Sequence, residues 1–347
     1  MKAFWVGLAA ALATAGSAEA AGSRTFKDWT AVCDNLRACS AFGFSKDTDH
    51  DIVYLKVARG GAGADRPIVS LAHLADAVTS KGAWSLAVDG RPLAGVAPGR
   101  PKAGETYETV TLSAAQSDSL LRAVRNGSSL SISDGGQAVG SISLSGVVAA
   151  LLWLDEQQKR VGTVTALARP GPQPATAVPP VPAAPSVAAG PAASQAGVPE
   201  RIPAAVRARL EGNDVCVSPP TSDEEAVIVR LAPGLMLWGP VCDRAAYNVI
   251  HAFFLGDEAG GALRPVSFPL PPESSEPTIG EIMNVDFDPA TRTLTSFSKG
   301  RGLGDCGDET SWVWDGRAFQ LLRQTVMPEC NGVTSEDWPA IYVARRR

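Results

Sequence analysis

The sequence predicts a mainly β fold with a few helices, an α+β chain of two antiparallel-sheet domains joined by a Pro/Ala-rich linker. Three observations carry this. Residues 299–330 read as a glycine-rich turn, an aromatic strand, an Asp-Gly turn and a return strand, bracketed by Cys306 and Cys330. The six cysteines fall into three sequence-local pairs. Residues 169–200 hold nine prolines in 32 residues, with Arg169 and Glu200 as the only charges.

The hairpin follows from side-chain alternation. Trp312 and Trp314 fall on one face of an extended segment and Val313 on the other. Asp315-Gly316 supplies the positive φ angles that a hairpin turn needs. Ala318, Gln320 and Leu322 then alternate with Phe319, Leu321 and Arg323 on the return strand. Gly302, Gly304 and Gly307 spell GxGxxG, but in a dinucleotide fold that motif opens a helix whose N-terminus holds the pyrophosphate. Residues 309–314 read as a strand, so the glycines are assigned to a turn and no cofactor is expected.

The stretches RGLGDCG, WVWDGRAFQL and DWP, with FKDWTAVCDNLRACSAFGF near the start, resemble the signature of DUF1176, a family of uncharacterised exported bacterial proteins. The resemblance covers most of the mature chain. It implies a periplasmic location and brings no activity, substrate or catalytic residue.

Residues 1–20 read as a secretory signal: Lys2, an apolar stretch from Ala3 to Ala15, and Ala18-Glu19-Ala20 as an A-x-A cleavage site near Ala20. The apolar run is shorter than the ~20 residues that span a bilayer as a helix, so no transmembrane segment is expected in the mature chain. Export makes the cysteine spacing informative. Six cysteines allow 15 pairings, but short loops cost least to close. The expected bridges are therefore Cys33–Cys39, Cys216–Cys242 and Cys306–Cys330. A zinc site is the rival, yet there is no C-x-x-C pair and only three histidines.

Residues 21–168 form the expected N-terminal β-rich domain with two helices. Strands are read at 52–58, 67–72 and 84–88, and a hairpin surrounds Asp134-Gly135-Gly136. Ser113 and Gln116 have the capping-box form ahead of a helix carrying Leu120, Leu121 and Val124. A second helix over 146–160 places Val147, Val148, Leu151, Leu152 and Leu154 on one face. This order of elements resembles the invasion-associated locus B proteins, another exported family. Residues 169–200 form the linker, expected as a mobile polyproline-rich tether. Residues 201–347 form the C-terminal antiparallel β domain, opened by a short helix after Pro203.

Charge divides unevenly. Residues 21–168 hold 15 Lys and Arg against 14 Asp and Glu, whereas residues 200–347 hold 14 against 21. The acidic second part excludes nucleic acid as a bulk-field partner. The tail Arg345-Arg346-Arg347 is expected to be a solvated end.

Four constellations have chemical content. Asp47, Asp49 and Asp51 open like a calcium loop, but an EF-hand needs Gly at position six and Glu at position twelve, where Ile52 and Ala58 stand; a solvated turn and no metal are expected. Asp286 and Asp288, beside Pro289, are read as ending a strand. Cys306 with His251 would make a thiol nucleophile only if the cysteine were free. Trp312 and Trp314, if solvent-facing beside Arg301, Asp305 and Asp308, would cradle a sugar or peptide; the competing reading packs both rings in the sheet core, as for Trp338. No G-x-S-x-G, H-E-x-x-H or P-loop occurs. The function expected is an envelope binding module whose partner is an envelope protein or glycan. The alternative is a periplasmic hydrolase using Asp305 or Asp308.

Overall fold

A computed structural model of the chain describes residues 22–45, 52–74, 80, 82–103, 107–210 and 225–347. The signal segment, the Asp47–Asp51 turn and Cys216 lie outside the described residues. The described residues are mostly β with three α-helices, and among them the sheets are antiparallel apart from one short parallel pair.

The first half is a meander. Gly22–Phe26, Trp29–Cys33, Cys39–Phe44, Ile52–Arg59, Ile68–Leu74, Tyr107–Thr111 and Lys102–Ala103 lie side by side in one seven-stranded sheet. Along these strands successive residues enter different cores. Ala41, Val53, Leu55 and Leu71 join Trp29 and the two helices in the largest cluster, while Phe42, Phe44, Tyr54 and Ala72 face the other way. Helix α1, Ala114–Val124, starts on the expected capping box: the Gln116 amide N–H donates to Ser113 Oγ and the Ser113 N–H to Gln116 Oε1. Helix α2, Val147–Gln157, begins at Gly146, whose φ is 104° and whose missing Cβ would stand 1.8 Å from the Phe26 carbonyl oxygen. The face of α2 differs from expectation. Val148 is exposed, and Trp153 and Asp155 are buried beside Val147, Leu151 and Leu154.

Asp155 is buried because it closes a network. Its carboxylate pairs with Arg59 at 2.8 Å, both side chains being fully buried, and accepts the Leu167 and Ala168 N–H groups at 2.9 and 2.7 Å. Arg59 also donates to Gln158 Oε1 at 2.6 Å. A buried charge is tolerated only with partners of this kind, and these partners anchor the chain where residues 169–200 begin.

In the second half, helix α3, Ala204–Leu210, buries Val206 and Leu210 beside Met236, Trp238 and Phe254. The five-stranded sheet runs Val285–Asp288, Thr293–Lys299, Gly307–Trp314, Phe319–Met327 and Ala340–Val343. The central hairpin forms as expected, with Trp314 opposite Phe319 and Gly316 at φ 103°. Its loop is closed by Asp315, which accepts the Arg317 and Ala318 N–H groups at 2.7 and 2.9 Å. Asp288 shapes the turn after its strand by accepting from Ala290 N and Thr291 Oγ1. Cys33–Cys39 and Cys306–Cys330 are bridged. Cys242 is also disulfide-bonded, but its expected partner lies outside the described residues. No helix among the described residues is long and apolar enough to cross a membrane.

Residues 169–200, expected as a mobile linker, make hydrogen bonds to both halves. Residues 169–200 are a strap held along their length. Arg37 donates to the Pro179 and Pro180 carbonyls, and Ser186–Val187 pairs in parallel with Arg345–Arg346. The Gly190 N–H donates to the Trp314 carbonyl at 2.8 Å. Gln195 both donates to the Arg230 carbonyl and accepts its N–H, at 2.9 and 3.0 Å. The physical reason is that a proline-rich backbone keeps its carbonyls free of internal hydrogen bonds, so neighbouring donors can hold it. The basic tail is solvent-exposed as expected, and its backbone is additionally paired to the strap.

The halves also share buried surface. Phe42, Phe44, Tyr54 and Ala72 pack with Cys306, Met327, Val333 and Trp338. Tyr54 Oη donates to Asp337 Oδ2 at 2.6 Å, and Lys56 Nζ to Oδ1 at 2.7 Å. Trp338→Ala is therefore expected to cost about 3–5 kcal/mol in a thermal or denaturant melt; a loss below about 1 kcal/mol would show that the shared cluster is dispensable. A fragment of residues 22–168 should melt cooperatively on its own core yet bind an apolar dye through the uncovered Phe42, Phe44 and Tyr54. An unfolded fragment would show that the first half has no independent core.

Candidate functional site

The glycine-rich loop leaves the strand Thr293–Lys299 and returns into Gly307–Trp314, so the GxGxxG spelling is followed by a strand. Two of its glycines are required by the backbone. Gly304 has φ 69°, and Gly307 has φ 131° with its missing Cβ 1.9 Å from the Ser298 carbonyl oxygen.

The loop is clamped from several sides. Asn248 donates to the Lys299 carbonyl and accepts the Lys299 N–H, at 2.9 and 3.1 Å. Tyr247 Oη donates to the Gly300 carbonyl at 3.1 Å. Arg301 makes a two-pronged contact with Asp305, Nε to Oδ1 at 2.7 Å and Nη2 to Oδ2 at 2.6 Å. Asp305 also accepts the Gly332 N–H at 2.6 Å, and the Cys306–Cys330 bridge ties the same two segments together. The outcome is a rigid loop carrying an exposed apolar tip, since Leu303 is 59% exposed and Tyr247 beside it 40%.

Next to that tip lies a cleft of about 290 Å³, lined by Leu74 and Tyr107 from the first half and by Leu303, Asp305, Thr334 and Glu336 from the second. Of the residues singled out in the sequence, Asp305 borders this cleft but is only 3% exposed and is spent on Arg301 and Gly332. Arg301 is about half in solvent as its partner. Asp308 stands apart, accepting from Thr310 Oγ1 at 3.1 Å. Trp312 and Trp314 are withdrawn from solvent, at 0% and 1% exposure, packed with Phe268 and Phe319. They offer no aromatic surface, because that face of the sheet is the core of the second half. Cys306 is bridged and is no nucleophile, and His251 Nε2 lies 2.8 Å from the Glu225 carbonyl oxygen.

The two acids titrate in opposite senses. Burial pushes Asp305 up, but the Arg301 hydrogen bonds and charge together with the Gly332 N–H outweigh it, holding its carboxyl below the usual range. Burial dominates at Asp308 and holds it above that range, against the Thr310, Gln324 and Ser298 contacts. A depressed carboxylate contributes stability above its unfolded pKa, about 4, that is lost as pH falls through the folded value.

Sequence reasoning missed Tyr247, Asn248 and Leu303. Only Leu303 carried a local signal, as an apolar residue between two glycines of a charged turn. The supports come from a distant strand end whose approach no local pattern announces.

Asp305→Asn is expected to lower stability by about 1–3 kcal/mol, the cost of leaving buried partners unpaired. Its gap from wild type should hold above about pH 5 and close as the pH falls below about 4, read by denaturant melts across pH. A gap independent of pH would show that the Asp305 charge contributes nothing.

Comparison with known proteins places the chain. The family model described as "Protein of unknown function (DUF1176)" matches residues 23–345. The "Uncharacterized protein YpfG" of Escherichia coli (strain K12) is 33% identical over 334 residues, which cover 94% of each chain. No solved structure matches. With the signature stretches forming the clamped loop, its hairpin and the Trp338 turn, and the match running almost end to end, the chain belongs to the DUF1176 family.

Proposed function

We propose that this is an exported cell-envelope binding protein whose contact surface is the clamped glycine-rich loop, with an envelope protein as partner. The observation that carries the reading is the rigid presentation of Leu303. An apolar side chain held in solvent on a loop with a disulfide, an ion pair and two side-chain clamps is already ordered for docking. A pre-ordered contact loses little conformational entropy on association, and functional residues concentrate on loops held by a rigid scaffold. Tyr247 widens the apolar tip, and the cleft beyond it offers Thr334 and Glu336 as a polar rim.

The cysteine bridges fit an oxidising compartment. Together with the signal reading of residues 1–20 they support export to the periplasm with cleavage near Ala20. The hydrolase alternative needs a free carboxylate facing substrate. Asp305 is committed to Arg301 and Gly332, and Asp308 accepts from Thr310, so no observation favours it.

Two measurements test the proposal. N-terminal sequencing of the protein from a periplasmic fraction should begin close to Ala21; a chain retained in the cytoplasm with Met1 intact would exclude export. Leu303→Asp should leave the melting temperature within about 2 °C, as a surface change of roughly 0.5 kcal/mol or less does. The same change should abolish crosslinking, through a photoreactive group at position 302, to the envelope protein that wild type captures. Undiminished crosslinking by the variant would remove Leu303 from the contact.

A further inference from the structure

A second cleft lies along the line where the halves meet, and it shares no lining residue with the cleft beside Leu303. The segment around Cys330 borders both: Gly332, Thr334 and Glu336 line the first, and Glu329 and Asn331 line the second. The second cleft has a volume of about 380 Å³, at the small end of the range for ligand sites. The first half supplies Thr25, Lys27, Asp28 and Phe44 to it.

The lining is polar and of both signs, and its hydrogen-bonding capacity is only partly used. Thr25 Oγ1 donates to Glu329 Oε1 at 3.0 Å, which joins the two halves across the cleft. Ser143 Oγ donates to Asp28 Oδ2 at 2.5 Å. Among the described residues each carboxylate therefore accepts one hydroxyl hydrogen bond and keeps its second oxygen for another. The Lys27 ammonium and the Asn331 carboxamide make no side-chain hydrogen bond among the described residues, and they bring donors and a further acceptor to the same space.

These groups select a ligand class. Two carboxylates repel an anion, the ammonium among them opposes a divalent cation, and so polar a lining does not suit a lipid chain. A neutral ligand with several adjacent hydroxyls meets every group. It donates to the second oxygens of Asp28 and Glu329, accepts from Lys27, and does both with Asn331, while Phe44 supplies an apolar contact. We propose that this seam cleft is a glycan-binding site, separate from the protein-docking loop.

The test is a titration of the isotopically labelled mature protein followed by amide chemical shifts. The probes are glucose, maltose, N-acetylglucosamine and its β-1,4-linked disaccharide. The control ligands are alanyl-alanine and inorganic phosphate. At least one saccharide should bind saturably, with shifts at Thr25, Glu329 and Asn331. Asn331→Ala, which removes a side chain with no hydrogen bond among the described residues, should weaken that binding at least about tenfold with an unchanged melt. Glu329→Gln should weaken it while keeping the side-chain shape. Leu303→Asp should leave it unaltered, so that failure at one site is distinguishable from failure at the other. The assignment is overturned if no saccharide saturates, if alanyl-alanine or phosphate alone binds there, or if Asn331→Ala binds as wild type does.

Discussion

Tyr54 and Trp338 have to be buried together, and that requirement decides where the two halves meet. The strands Cys39–Phe44 and Ile52–Arg59 are covered on both faces, one by the helices and Trp29, the other by Met327, Val333 and Trp338 from the far end of the chain. A large ring left half-covered would forfeit much of its burial free energy, about 25 cal/mol per Å² of apolar area. The polar end of Tyr54 is satisfied at the same place by Asp337, which also holds Lys56. Both clefts lie along this line of contact, so whatever holds it together also shapes them.

Three side-chain amides repeat one device in this chain. Asn35 donates to the Val343 carbonyl and accepts its N–H at 3.0 and 2.8 Å. Asn248 does the same with Lys299, and Gln195 with Arg230. A carboxamide presents one donor and one acceptor in the geometry of a peptide group, and so stands in for a neighbouring strand. Asn35 and Gln195 thereby occupy strand positions that would otherwise present unpaired backbone groups to other chains. Asn248 uses the device on the base of the glycine-rich loop. Asn35 is itself held inside the small Cys33–Cys39 ring, where Asp34 accepts the Leu36 and Ala38 N–H groups.

The glycine-rich loop shows how composition misleads about mobility. Its glycines suggest freedom, but Gly304 and Gly307 serve fixed conformations that other residues would strain, and Asp305, expected to recognise a ligand, is turned inward. Arg301 and Asp305 lock the loop to Gly332, leaving its uncharged residue, Leu303, to face solvent. The strap repeats the lesson with proline: a segment unable to build a core of its own is ordered by donors that lie elsewhere in the chain.

The features legible in the residues alone were local. The capping box of α1, the hairpin around Asp315-Gly316, the strand after Gly307 and the bridges Cys33–Cys39 and Cys306–Cys330 rest on neighbours within a few tens of residues, where periodicity and turn chemistry act. One long-range hint was also present: the unbroken apolar run at 52–55 lacks the alternation of a half-solvated sheet, as strands covered on both faces do. The identity of the cover was decided only by the tertiary structure. So were the ordering of the strap, the inward turn of Asp305, the burial of Trp312 and Trp314 and the exposure of Leu303. These depend on partners outside their own local pattern, from Gly332 for Asp305 to the Arg345–Arg346 strand for the strap, and the side of a strand or loop that meets solvent is set by what packs against the other side.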